Sequence, residues 1–224
     1  MSNYIIQTIN LEKTYGTKIK SHVLKNINLK IPKGSFCCIV GPSGHGKSTL
    51  LQLIGGLDKA TNGRILIDGI DISQLSDNKM SEVRGEKIGF VFQFFNLLEN
   101  LTALENILTA MMFVKKDSKP TSEQAVELLE MVGLKDKVNF KISELSGGQL
   151  QRIAIARSLA NSPDILLMDE PTGNLDSKSE QDVLNHIFNV HKSGKTIVMV
   201  THSSEIAKQA ELVFEIRDGK LKNI

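Results

Sequence analysis

The run Gly41-Pro42-Ser43-Gly44-His45-Gly46-Lys47-Ser48-Thr49 carries the most specific chemistry in this chain. Its pattern, G-x-x-x-x-G-K-[ST], follows the apolar Phe36 to Val40 and precedes a helical Leu50-Leu51-Gln52-Leu53-Ile54, the strand, loop and helix order that a phosphate cradle requires. Glycines let backbone N–H groups converge on phosphate oxygens, and the helix adds the positive end of its dipole. Lys47 then reaches the β and γ phosphates, and the Ser48 hydroxyl is a ligand for Mg2+. Far downstream, Leu145-Ser146-Gly147-Gly148-Gln149 opens a second helix with apolar and small residues at Ile153, Ala154, Ala156, Leu159 and Ala160. Free N–H groups at that opening also favour an anion. A triphosphate held by the first loop is already cradled, so the second element is explained most simply as completing the site of another molecule. These residues predict a dimer with ATP at its interface.

Three further apolar runs end on polar groups: Ile165 to Met168 on Asp169-Glu170, Ile88 to Phe92 on Gln93, and Ile197 to Val200 on Thr201-His202. In this order the motifs resemble the nucleotide-binding subunit of an ABC transporter, over nearly all of the chain. Asp58 in Gly-Gly-Leu-Asp, the segment 89–98 and Glu170-Pro171-Thr172-Gly173-Asn174-Leu175-Asp176 resemble, more finely, the lipoprotein-releasing and macrolide-exporter group. The resemblance implies an ATPase with catalytic Glu170, His202, Gln93 and Lys47. Asp169 suits the Mg2+-holding acid, Glu170 the general base, and His202 the switch histidine that bonds the γ-phosphate and fixes the water and Glu170. Gln93 combines an acceptor for Mg2+ with a donor to the water. Ser48, Gln93 and Asp169 form the implied metal set. Ser146 and Gly148, within the signature that Gly147 and Gln149 complete, are expected to contact the γ-phosphate held by the opposite subunit, and Asp176 to cross the same interface. Tyr15, in Glu12-Lys13-Thr14-Tyr15-Gly16, resembles the aromatic that stacks on adenine; a purely structural tyrosine is the alternative. A helix-start or surface pair is the alternative for the two adjacent acids.

The elements that must position these groups follow from the hydrophobic pattern. Alternation at Ile5, Gln7, Ile9 and at Val23, Lys25, Ile27, Leu29, Ile31 predicts early strands forming an antiparallel flank, broken at Pro32-Lys33-Gly34. Strands are also predicted at 63–69, 88–92, 165–168, 196–200 and 212–216, with a terminal hairpin at Asp218-Gly219. Helices are predicted at 105–114, 122–132, after the signature, at 177–191 and just after Ser203, so that about 103–160 reads as almost entirely helical. The expected fold is α/β: a P-loop NTPase (RecA-like) core with an antiparallel β flank and an inserted helical lobe. The chain is expected to be a single domain, 1–224, with about 1–95 and 161–224 as the nucleotide-binding core and about 96–160 as the lobe.

Composition bounds the partners. The 224 residues are 41% hydrophobic and 23% charged, enough to bury a substantial core, and the net charge of +2 is spread among interleaved acids and bases. That mixing gives no basic stripe for nucleic acid, and relatives acting on DNA or ribosomes generally carry tandem cassettes, coiled coils or zinc modules that are absent from this sequence. No stretch of about eighteen apolar residues occurs, and Met1-Ser2-Asn3-Tyr4 lacks a signal pattern, so transport would need separate integral membrane permease subunits. The expected location is the cytoplasmic face of the membrane, peripheral through those partners. Adjacent Cys37 and Cys38 point to opposite faces of one strand and are expected to stay reduced and buried. His22, His186 and His191 are expected to be ordinary surface or packing residues.

Residues Phe94, Phe95, Leu97 and Leu98 are too apolar for a simple exposed loop and either pack under the lobe or dock a permease's coupling helix. His45, where many relatives carry serine, adds a titratable group near phosphate; protonated, it is expected to strengthen nucleotide affinity in mild acid. Leu150, where glutamine is common, alters only the polarity of its helix edge. Two functions fit the resemblance: the motor of an exporter or extractor of a lipoprotein, peptide or hydrophobic drug, or a mechanical signalling ATPase acting through a membrane partner, as in cell-division control of wall hydrolases.

Overall fold

A computed structural model describes residues 4–114 and 121–224. The reading of the extreme N-terminus on Met1 to Asn3 falls outside them. In chain order the elements are β1 (Tyr4–Tyr15), β2 (Ser21–Pro32), β3 (Phe36–Val40), α1 (Lys47–Ile54), β4 (Asn62–Ile67), β5 (Ile70–Asp71), α2 (Asp77–Lys87), β6 (Ile88–Phe92), α3 (Ala103–Met111), α4 (Ser122–Met131), α5 (Gly147–Ser158), β7 (Ile165–Asp169), α6 (Ser177–Lys192), β8 (Thr196–Val200), α7 (Ser204–Ala207), β9 (Leu212–Arg217) and β10 (Lys220–Asn223).

Two sheets result. One is antiparallel, in the order β2-β1-β4-β5; the other runs β10-β9-β3-β8-β7-β6, parallel except at the β9–β10 hairpin. Strands β3, β6, β7 and β8 are short and apolar without alternation, as strands covered on both faces must be. Their burial divides the core. Cys37, Ile39, Leu167 and Val198 face the antiparallel sheet and α1, whereas Cys38, Met168, Ile197 and Met199 face the helices α3 to α7. Helix α1 is thus enclosed between two sheets, with Leu50, Leu51, Leu53 and Ile54 all buried.

The two cysteines lie on opposite faces, free and buried, as expected from adjacent strand positions. Burial raises both thiols, Cys38 to about 12, so neither offers a thiolate near neutral pH.

Three local expectations need correction. The helix expected over 105–114 ends at Met111, and Met112 and Phe113 leave it exposed. The stretch about 103–160 is not continuous helix: between α4 and α5 the chain runs through irregular backbone with two single 3-10 turns, Lys135–Lys137 and Ile142–Glu144. There Gly133, at φ 68, stops α4 in the left-handed region that glycine adopts at no steric cost. Helix α2 had no counterpart in the pattern because it is largely polar and buries only Met80. Its ion pairs run from Lys59 to Asp77 and from Lys87 to Asp68 and Asp164.

Candidate functional site

Parallel pairing brings the functional groups to one edge. Phe92 lies level with Asp169, Asp169 with Val200, and Val200 with Ile39, so the chain leaves all four strands at neighbouring heights. Gly41, Gln93, Glu170 and Thr201-His202 follow directly, at the carboxyl end of the sheet where open α/β folds carry their chemistry.

The phosphate loop is shaped by backbone constraints. Gly41, at φ 138, passes so close to β9 that an added Cβ would stand 2.2 Å from the Ile216 carbonyl oxygen. Gly46, at φ 104, is the left-handed residue that starts α1. Among the α-helices of the described residues, α1 alone begins with neither a side-chain cap nor an acidic residue in its first turn. Its first N–H groups are therefore offered to a ligand's oxygens. Buried Lys47 donates to the carbonyls of Gly41 and Pro42, both at 2.9 Å, which centres its ammonium in the loop. Burial lowers its pKa despite the opposing field of Glu170 and Asp169.

At the strand ends, the Ser48 hydroxyl donates to Asp169 Oδ1 at 2.9 Å, and Glu170 Oε1 lies 2.7 Å from His202 Nε2. His202 Nε2 is also 3.3 Å from Ser43 Oγ and 3.4 Å from Lys47 Nζ. Glu170 adopts φ 47, a left-handed conformation that turns its side chain away from that of Asp169 and toward the histidine. Burial raises the Asp169 carboxyl, with Ser48 and Lys47 offsetting part of the effect. A hydroxyl beside a partly desolvated carboxylate is the hard-oxygen donor set that Mg2+ prefers, and it fits that ion.

Gln93 stands at the same edge, its amide donating to Asn174 Oδ1 at 3.2 Å while Asn174 donates to the Gln93 carbonyl at 3.2 Å. Gly173 fits beneath it: an added Cβ would lie 2.9 Å from Gln93 Nε2. The residues after Gln93 divide. Leu97 packs on the core and Phe95 is half-buried, whereas Phe94 is 74% exposed and Leu98 is also exposed. Of this loop only Asn96 lines a cavity of about 510 Å3, together with Arg84, Phe90, Phe113, Arg157 and Asn161, among others.

The signature turn sits elsewhere in the chain. Ser146 caps α5 through a reciprocal pair: its hydroxyl accepts from the Gln149 N–H at 3.4 Å, and Gln149 Oε1 accepts from the Ser146 N–H at 2.9 Å. An added Cβ on Gly148 would meet Ser179 Cβ at 2.8 Å, and one on Gly147 would touch Leu175 and Phe95. Asp176 caps α6, accepting from the Lys178 and Ser179 N–H groups and from the Ser179 hydroxyl at 2.7 Å. Signature and Asp176 thus form one patch with α6. Leu150 is half-buried against the core, which accounts for an apolar residue at that helix edge.

Tyr15, 40% exposed, bonds through its hydroxyl to Asp58 Oδ2 at 2.6 Å. His45 departs from expectation in one respect: its Nδ1 accepts the Asp218 N–H at 2.9 Å, so the ring faces the terminal hairpin and ties the loop to it. Of the remaining histidines, His22 meets Thr14 at 3.1 Å, His191 meets the Gly34 carbonyl at 3.0 Å, and burial lowers His186.

Ser43, expected in the phosphate loop, also reaches His202. Sequence reading missed three contributors: Asn174 orders Gln93, buried Gln151 of α5 meets the Phe92 carbonyl at 3.4 Å, and Arg157 donates to the carbonyls of Phe95, at 2.9 Å, and Asn96. For Gln151 and Arg157 the available signal was a polar or cationic residue among the apolar positions of α5.

A family model described as ABC transporter matches residues 24–173. The chain is 49% identical to the ABC transporter ATP-binding protein YvrO of Bacillus subtilis (strain 168), over 95% of this chain and 93% of that one. It is 46% identical to the macrolide export ATP-binding/permease protein MacB of Mannheimia succiniciproducens, over 97% of this chain but only 34% of that protein. In three dimensions it superposes with a TM-score of 0.90, at 42% identity and over 98% of this chain and 97% of the other, on the dimeric post-hydrolysis ATP-binding cassette MJ0796 bound to ADP and Pi. That cassette is from Methanocaldococcus jannaschii. None of the helices among the described residues is long and apolar enough to cross a membrane.

Proposed function

Because this chain belongs to the ABC transporter family as an ATP-hydrolysing ATP-binding subunit, we propose that two copies close over two ATP molecules and drive integral membrane permease subunits. The observation that carries the reading is the cluster at the sheet edge, with Glu170 2.7 Å from His202, and Lys47, Ser43 and Asp169 beside them.

In this reading loop 41–49 cradles the triphosphate through its N–H groups, and Lys47 transfers its hydrogen bonds from the Gly41 and Pro42 carbonyls to phosphate oxygens. Tyr15 stacks on the base. Ser48, Gln93 and Asp169 hold Mg2+, which when bound neutralises phosphate charge. Glu170 accepts the proton of the attacking water, and His202 keeps that carboxylate and the γ-phosphate in register. Ser146, Gly147, Gly148 and Gln149 of one copy, with Asp176, seal the site of its twin. Packing of Gly148 on Ser179, whose hydroxyl bonds Asp176, supports signature and Asp176 acting as one unit.

The exposed Phe94 and Leu98 supply an apolar seat for a permease segment, and the Gln93–Asn174 pair links that loop to the nucleotide. The subunit lies at the cytoplasmic face of the membrane through these partners, as a single cassette with about 96–160 as its helical lobe. Similarity to macrolide exporters favours export of a hydrophobic drug, peptide or lipoprotein.

Size-exclusion chromatography of Glu170→Gln with Mg-ATP tests the engine. Turnover should fall by about 10²- to 10⁴-fold while a stable dimer accumulates. A variant that stays monomeric at saturating Mg-ATP, even with its membrane partner, contradicts the clamp.

A further inference from the structure

Apart from Lys47, Lys13 is the one lysine buried among the described residues, and the proposed chemistry does not use it. Its ammonium donates to Asp58 Oδ1 and to the Lys59 carbonyl, both at 2.7 Å, and stands over the Tyr15 ring 4.5 Å from its centroid. Asp58 uses its second oxygen to accept from the Tyr15 hydroxyl at 2.6 Å, and its first also accepts the Lys59 N–H at 2.7 Å. The Thr49 side chain reaches the same phenol. Around this cluster the Thr14 N–H donates to Thr61 Oγ1 at 3.0 Å and the Thr61 N–H to the Glu12 carbonyl at 2.9 Å.

These contacts stitch the end of β1 to the segment that follows α1. Helix α1 begins at Lys47 and is enclosed between two sheets, so the hydroxyl of Tyr15 is anchored both to Asp58 beyond the helix's end and to Thr49 in its first turn, beside the phosphate loop. We propose that Lys13 and Asp58 are positioning residues for the adenine of ATP: together they fix the plane of the Tyr15 ring, with Lys13 over one face, so that only the opposite face receives the base. This rests on Tyr15 being the base-stacking residue. A ring already immobilised loses less rotamer freedom on stacking, and a cation on one face steers the planar base to the other. The Asp58 carboxyl fits the role: burial alone would raise it, yet hydrogen bonds from Lys13, Tyr15 and Lys59 hold it below the usual carboxylate range, so it stays ionised and accepting.

The test uses the full-length chain and compares calorimetric binding of Mg-ATP with that of inorganic tripolyphosphate, which lacks the base. Tyr15→Phe, Asp58→Asn and Lys13→Met should each weaken ATP binding about three- to tenfold and leave tripolyphosphate unaffected. Asp58→Asn should have no further effect on ATP in a Tyr15→Ala background. The chain has two tyrosines and no tryptophan, so in a Tyr4→Phe background the emission reports Tyr15 alone. Asp58→Asn should alter that emission before ligand is added, and ATP but not tripolyphosphate should quench it. If Tyr15→Ala binds ATP as the parent does, the stacking reading fails and this inference with it. If Tyr15→Ala weakens ATP but Tyr15→Phe and Asp58→Asn do not, stacking stands and the positioning role is overturned. It is overturned equally if Asp58→Asn weakens tripolyphosphate to the same degree, or acts undiminished without Tyr15. Tyr15→Phe deletes a single hydroxyl from a half-exposed ring, so it carries the test should Asp58→Asn not fold.

Discussion

Arg157 holds the turn after Gln93 in a conformation that the turn would not choose for itself. Phe95 and Asn96 sit at φ 60 and φ 51, and the two carbonyls they present are both taken by the guanidinium of Arg157. A left-handed L-residue costs about 1–2 kcal/mol, less for asparagine, and a hydrogen bond to a charged donor returns about 1.5–3 kcal/mol. Arg157 is only half-buried, so the lower end applies, about 3 kcal/mol for the pair. In Arg157→Ala the turn relaxes and recovers about 1 kcal/mol, which leaves a net loss of about 2 kcal/mol. For a chain of this length that loss lowers Tm by about 4–8 °C. Arg157→Lys keeps the charge but satisfies one carbonyl, so it should lose about half as much. Thermal unfolding gives the magnitude, and hydrogen exchange locates it: amides of 93–98 should lose protection in Arg157→Ala while those of β7 and β8 keep theirs. A loss below about 0.5 kcal/mol with unchanged exchange at 93–98 would refute the reasoning.

The remaining expectations concern residues already placed. Burial raises the Asp169 carboxyl, so its ionised form is disfavoured by folding and it subtracts stability as pH rises from acid through its raised value. Without Mg2+, Asp169→Asn should therefore unfold at higher temperature than the parent near neutrality and at the same temperature below the carboxylate range; equal melting at both pH values would count against the sign. Gly148→Ala places a Cβ 2.8 Å from that of Ser179, an overpacking worth about 1–3 kcal/mol, so the variant should melt several degrees below the parent; unchanged melting would show that Ser179 gives way at no cost. Cys37 and Cys38, buried and raised, should remain unmodified by maleimide in native protein and react only on unfolding, as mass spectrometry would report.

What the sequence made legible was what is local. The phosphate loop announces itself because every group it needs lies within nine consecutive residues, and the strands leading to it, to Gln93, to Asp169 and to His202 are unbroken apolar runs. Helix α2 escaped because it is largely polar and buries only Met80, so it carries no apolar stripe for periodicity to register. The same limit hid the partners of functional groups. Asn174 meets Gln93 across 81 positions, Arg157 meets Phe95 across 62, and His45 meets Asp218 across 173. Each is a side chain whose identity is compatible with ordinary solvation until the fold brings its partner near. His45 adds a contact that its place in the phosphate loop did not suggest, its ring meeting the terminal hairpin.

The two sheets differ in how strictly their strands are phased. Along β1 the pairing with β2 slips repeatedly, with irregularities between Thr8 and Leu11 and again on either side of Lys13, whereas β6, β7, β8 and β3 run in unbroken step. An extra residue inserted into β1 can be swallowed by one more irregularity. In β7 it would push Asp169 and Glu170 outward by about 3.3 Å relative to Gln93 and His202, and would exchange the inward and outward faces of everything beyond it. A systematic scan of one-residue insertions and deletions should therefore divide the chain into an elastic side and a brittle side. The boundary should follow the two sheets rather than the distance of each residue from bound nucleotide.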